Sequence, residues 1–122
     1  MRRIISTTLL VAAAIVLIGT VMPSSRSAEG VYFYWAQTGV NTNNISTCYS
    51  FAETVLQYES FANVRRSPGE VTGSKGGTYA AITCVGTSPR ATAVVAAVGN
   101  QNSEAARIRD LLRDKIRGVI HP

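Results

Sequence analysis

The spacing of apolar residues is clearest between residues 78 and 98. Two apolar runs flank a short turn signal at residues 86–90, which predicts an antiparallel hairpin within a small sheet. The first run alternates, with Ala80, Ile82 and Cys84 on one face. The second run, residues 91–98, is apolar on both faces, which favours a strand at the centre of the sheet.

An aromatic segment precedes this hairpin in the chain. Residues 31–36, VYFYWA, are aromatic or β-branched at most positions, and such residues favour a strand. Alternation places Phe33 and Trp35 on one face and Tyr32 and Tyr34 on the other. From this strand we select Tyr32, Tyr34 and Trp35 as the candidate binding face.

Two amphipathic helices are predicted beside these strands. The first covers about residues 48–62, with Ser46 or Thr47 as its N-cap. The second covers about residues 104–119 and carries mixed charges on its outer side. The apolar stripe of the first helix has three- and four-residue spacing and consists of Cys48, Phe51, Ala52, Val55, Tyr58 and Ala62.

The segment between the first helix and the hairpin is rich in turn formers. Residues 65–77 contain Pro68 and four glycines, so we expect a loop or an irregular edge strand. The resulting order is β-α-β-β-α, which predicts a three-stranded α+β sandwich. Its strand order would be 1-3-2, with both helices on one face.

This element order resembles a split βαβ arrangement, that is, a ferredoxin-like fold that lacks its last strand. The resemblance lies in the order of elements and in no specific motif. Because this architecture hosts many unrelated functions, it implies none in particular. We do expect one face of the sheet to be left open and apolar, and such a face favours a partner.

The N-terminal segment has the layout of a secretory signal peptide. Arg2 and Arg3 precede the apolar run at residues 9–18, and Pro23 and small serines follow it. We expect cleavage after Ser27, a single domain at residues 28–122, and a secreted or periplasmic location. The protein would then contact the membrane only transiently, through the signal peptide. The alternative is an uncleaved membrane anchor over residues 4–22.

Removal of that segment changes the charge balance. The full chain carries +5, from 12 basic and 7 acidic residues. Three arginines leave with the signal peptide, so the mature chain has 9 basic and 7 acidic residues, or +2. A charge this small, with no Lys or Arg within the aromatic strand, gives no reason to expect nucleic acid as a partner.

Two cysteines in an exported chain predict one disulfide, between Cys48 and Cys84. The single histidine, His121, is the penultimate residue, and terminal residues are usually frayed. Glu53 and Glu59 are six positions apart and project from a helix in different directions. We therefore expect no catalytic residues, no metal site and no cofactor.

The sequence thus predicts a small exported, non-enzymatic protein that binds a protein partner or forms a homodimer. One alternative is a small-ligand-binding protein or enzyme, with a pocket formed by the aromatic strand together with Tyr49 or Glu53. Another is a membrane-tethered structural protein, if residues 4–22 are retained as an anchor.

Overall fold

The computed structural model describes residues 31–86 and 88–120. The signal peptide predicted at residues 1–27 and the C-terminal His121 lie outside the described residues. Those that are described form five strands and two helices. In chain order these are β1 (Tyr32–Gly39), α1 (Ile45–Tyr58), β2 (Ala62–Ser67), β3 (Glu70–Lys75), β4 (Thr78–Val85), β5 (Thr92–Gly99) and α2 (Asn102–Gly118).

The five strands form one antiparallel sheet in the order β1-β5-β4-β3-β2. Strands β2 to β5 follow one another as a meander, and β1 adds to the free side of β5. The connection through α1 therefore runs from one edge strand to the other. The predicted three-stranded sheet of order 1-3-2 is wrong, and so is the split βαβ description. The mixed α+β content is consistent with the prediction.

The missing strands come from the segment expected to be a loop or an irregular edge strand. Pro68 and Gly69 form the turn between β2 and β3, and Gly76 and Gly77 form the next turn. Because only the six residues of β3 separate these two turns, the sequence of the whole segment has the composition of a single loop. Gly73 alone of these glycines lies within a strand, where an added Cβ would lie 3.2 Å from the Phe61 Cβ. Close packing of the neighbouring segment accounts for glycine at that position.

Both helices pack against the same face of the sheet. Along β4 and β5 the side chains alternate regularly between buried and more exposed. The buried set lies under the helices and includes Ala80, Ile82, Ala93, Val95 and Ala97. From α1 the core receives Phe51, Val55 and Leu56, and from α2 it receives Ile108, Leu112 and Ile116. A single apolar layer thus fills the space between the helices and the sheet.

The first helix starts and ends earlier than its apolar spacing predicted. Asn44 caps it, because its Oδ1 accepts a hydrogen bond of 2.9 Å from the Thr47 amide. The expected caps, Ser46 and Thr47, lie inside the helix. Tyr58 ends the helix with 78% of its surface exposed, so it does not belong to the buried stripe.

A disulfide joins this helix to the sheet. Cys48 lies in the first turn of α1, and Cys84 lies near the end of β4 on the face that the helices cover. Their Cα atoms are 6.2 Å apart, and the two half-cystines are 0% and 5% exposed. The link ties α1 directly to the central strand of the sheet.

Candidate functional site

The face of the sheet opposite the helices carries an apolar surface across β1, β5 and β4. Three aromatic side chains dominate it, with Phe33, Trp35 and Tyr79 exposed to 60%, 56% and 51%. Val98 lies between Phe33 and Tyr79, whereas Val94 lies between Gln37 and Thr83, and Val85 lies beside Thr92. We call this surface the open-face patch and define it by Phe33, Trp35, Tyr79, Val85, Val94 and Val98.

The strand register arranges the patch in rows that cross the sheet. In one row, Phe33 lies opposite Val98, and Val98 lies opposite Tyr79 on its other side. In the next row, Trp35 lies opposite Ala96, and Ala96 opposite Ala81. Directly opposed side chains of an antiparallel pair point to the same face. The Trp35 indole therefore stands beside a shallow floor of two alanines.

The open face changes from aromatic and apolar side chains to polar ones between β4 and β3. Tyr79 lies opposite Ser74, and Ala81 lies opposite Thr72. Thr72 in turn lies opposite Arg65 on the edge strand β2. The half of the face formed by β3 and β2 is therefore polar. The aromatic rows therefore end between β4 and β3.

The charged groups of the described chain concentrate on the helical side. On α2, Asp110 pairs with Arg113 at 3.4 Å and Asp114 pairs with Arg117 at 2.9 Å, as their spacing predicts. Hydrogen bonds from Arg113 hold the pKa of the Asp114 carboxyl below its ordinary value. The open-face patch, by contrast, contains no ionisable side chain except the Tyr79 phenol.

Of the three residues selected from the sequence, Trp35 alone lies on the open face. Tyr32 and Tyr34 are half-buried on the helical side. The Tyr34 hydroxyl donates a hydrogen bond to the Asn102 side chain, and the Arg109 guanidinium lies 5.5 Å from the Tyr34 ring centroid. Tyr34 thereby docks β1 against α2. The structure therefore does not bring Tyr32 and Tyr34 together with Trp35.

Sequence reasoning missed Phe33 and Tyr79 as members of this surface. The signal for Phe33 was present, because two-residue alternation places it on the same face as Trp35. The signal for Tyr79 was also present, because alternation places it on the face opposite Ala80 and Ile82, which are buried. The register between strands, which joins Phe33 and Tyr79 through Val98, required the structure.

Arg109 also protects the free edge of β1. Its Nη1 donates a hydrogen bond of 3.1 Å to the Trp35 carbonyl oxygen. An edge strand with free carbonyls is a template for pairing with another chain, and charged groups at the edge oppose this. At this point of β1 the Trp35 carbonyl oxygen is therefore already engaged within the domain.

The residues of the alternative pocket, Tyr49 and Glu53, lie on the helical side of the sheet. The hydroxyl of the buried Tyr49 lies 3.1 Å from the carbonyl oxygen of Gly69 and 3.3 Å from that of Cys84, and its single proton is shared between these two acceptors. The Glu53 carboxylate lies 3.5 Å from Arg66. Neither residue shares a surface with Trp35.

Within the described residues, no group of three or more His, Cys, Asp or Glu side chains could hold a metal ion. Neither helix there is long and apolar enough to cross a bilayer. The chain matches no protein-family model, and no curated protein or solved structure matches it.

Proposed function

We propose that this protein is an exported, non-enzymatic module that binds protein through the open-face patch. The observation that carries the proposal is the cluster of three exposed aromatic side chains on this face. Side chains at the three aromatic positions lie in two adjacent rows across three hydrogen-bonded strands, with no charge between them. A contiguous apolar patch on a soluble domain is a common mark of an interaction site.

The composition of the patch also supports a protein partner. Tryptophan, tyrosine and phenylalanine are enriched in the buried centres of protein interfaces, and charged residues are depleted there. Trp35 and Tyr79 offer large rings with few rotatable bonds, so little conformational entropy is lost on binding. The flat form of the sheet suits another flat protein surface better than it suits an enclosed small molecule.

The patch is held rigidly by the strands that carry it and by the core behind them. Strands β4 and β5 are interior strands, hydrogen-bonded on both sides. The disulfide and the helical core lie directly behind them. A surface held in this way is presented without an ordering cost at the moment of binding.

Site-specific photo-cross-linking tests the proposal. A benzophenone amino acid would replace Phe33 on the open face and, as the control, Tyr58 on α1. Both positions carry exposed aromatic side chains, at 60% and 78%. In the native host, irradiation should give protein adducts from position 33 and few from position 58. Equal yields from both positions, or none from position 33, would refute the proposal.

A further inference from the structure

We infer that the occupant of the open-face patch is a second copy of this chain, packed face to face about a two-fold axis that runs above β5. This inference rests on the proposed function and specifies its partner. The arrangement is a two-layer sandwich of sheets, flanked on each outer side by helices. Sheets that pack in this way lie about 10 Å apart with their strands nearly aligned.

The position of the axis follows from the boundary of the apolar surface. An axis parallel to the strands and centred on β5 places β1 of each copy over β4 of the other. All three apolar strands are then covered. The polar strands β3 and β2 extend beyond the contact and stay in water, which agrees with Ser74 and Arg65 on their open face. An axis centred on β4 would instead press the aromatic β1 against the polar β2.

The two rows that contain the aromatic side chains are complementary to themselves under this symmetry. A two-fold axis parallel to the strands keeps each row opposite the same row of the second copy. Phe33 then faces Tyr79 of the second copy, and aromatic pairs of this kind are favourable. Trp35 faces the small Ala81 of the second copy, so a large ring meets a shallow floor. Ala96, on the axis, meets its own counterpart and lets the two sheets approach closely.

The charges permit such a pairing. A second copy presents the same surface, so any charge in the patch would face a like charge or be buried unpaired. Apart from the Tyr79 phenol, the patch has no ionisable side chain. Cations border it on two sides: Arg65 lies in the polar half, and Arg90 packs beside Gly39 at the end of β1, where an added Cβ would lie 3.0 Å from the Arg90 Cδ. The aromatic rows themselves therefore offer no charge with which an oppositely charged partner would pair.

The area sets the strength of the association. Aromatic side chains bury about 150–250 Å² each, so three rings more than half exposed offer roughly 300 Å² per copy. With the valines and alanines, the patch reaches about 500 Å², and two copies would bury about 1,000 Å², where specific interfaces begin. We therefore expect a reversible dimer with a dissociation constant in the micromolar range.

Sedimentation of the protein purified from its host tests this inference. Measurements from about 1 µM to about 500 µM bracket the expected constant. Two matched variants, Tyr79→Lys and Ser74→Lys, introduce the same charge at directly opposed positions on neighbouring strands. The wild type and Ser74→Lys should pass from one chain to two as concentration rises. Tyr79→Lys should stay monomeric throughout.

Thermal unfolding checks that each variant is folded, and Phe33→Lys on the edge strand replaces Tyr79→Lys if that one is not. A wild type that stays monomeric would overturn the inference, as would an equal loss of dimer in both lysine variants. If the wild type is monomeric and position 33 still cross-links to a different protein, the proposed function stands without the second copy. If position 33 gives no adduct either, both are refuted.

Discussion

Removal of the disulfide should cost this small domain a large part of its stability. Cys48 and Cys84 are 36 positions apart in the sequence, so the bridge closes a long loop in the unfolded chain. In the chain-entropy model a loop of about 37 residues corresponds to roughly 4 kcal/mol of stabilisation. Unfolding free energies of whole domains are about 5–15 kcal/mol. The double variant Cys48→Ala/Cys84→Ala should therefore be only marginally folded.

The assay is urea and thermal unfolding of the wild type and the double variant. For a domain of this size, a loss of about 4 kcal/mol lowers the melting temperature by roughly 15–30 °C. The variant itself supplies a control, because a reductant should destabilise the wild type and leave the variant unchanged. A loss below about 1 kcal/mol would refute the reasoning, since a bridge over so long a loop could not then be constraining the unfolded chain.

Three further substitutions test the local packing, each by its change in unfolding free energy. Asn44→Ala removes the N-cap of α1 and should cost about 1 kcal/mol; an unchanged value would mean that the cap contributes nothing. Thr78→Val should stabilise the protein by about 1 kcal/mol, because the buried Thr78 hydroxyl has no hydrogen-bond partner within the described residues, and a loss would point to one. Gly99→Ala should cost about 1–3 kcal/mol, because its Cβ would lie 2.8 Å from the Thr78 Oγ1 and 3.0 Å from the Gly77 carbonyl oxygen. Gly118→Ala, where an added Cβ meets nothing within 4 Å, is its control and should cost nothing.

Local patterns predicted the elements whose residues carry a clear period. The aromatic β1, the hairpin of β4 and β5, and both helices follow from two-residue alternation or three- and four-residue spacing. Strands β2 and β3 did not follow, because their residues are mostly polar or small. Each is only six residues long and ends at a turn rich in glycine or proline. Pairing with neighbouring strands, which a local pattern does not contain, stabilises them.

The residues of the candidate site were likewise predictable where a local pattern places them, and not where contacts between distant segments do. Trp35 was selected for a candidate binding face, and its side chain does lie on the open face of the sheet, 56% exposed. Tyr34 was selected as a residue of the aromatic strand, but its hydroxyl donates a hydrogen bond to the Asn102 side chain and its ring contacts the Arg109 guanidinium, both within the fold. Those partners lie more than sixty positions away in the sequence. Contacts at such distances come from the topology of the sheet, which the three-stranded prediction had wrong.

Hydroxyl-radical footprinting in the native host, read by mass spectrometry, tests the central claim most directly. Trp35 is the only tryptophan of the chain, and its exposed ring in the isolated domain should oxidise readily. Tyr58 on α1 serves as the internal reference. If protein covers the open-face patch, oxidation of Trp35 relative to Tyr58 should be several-fold lower in the host compartment than in dilute purified protein. An equal ratio in both samples would contradict the claim that this face is a binding surface.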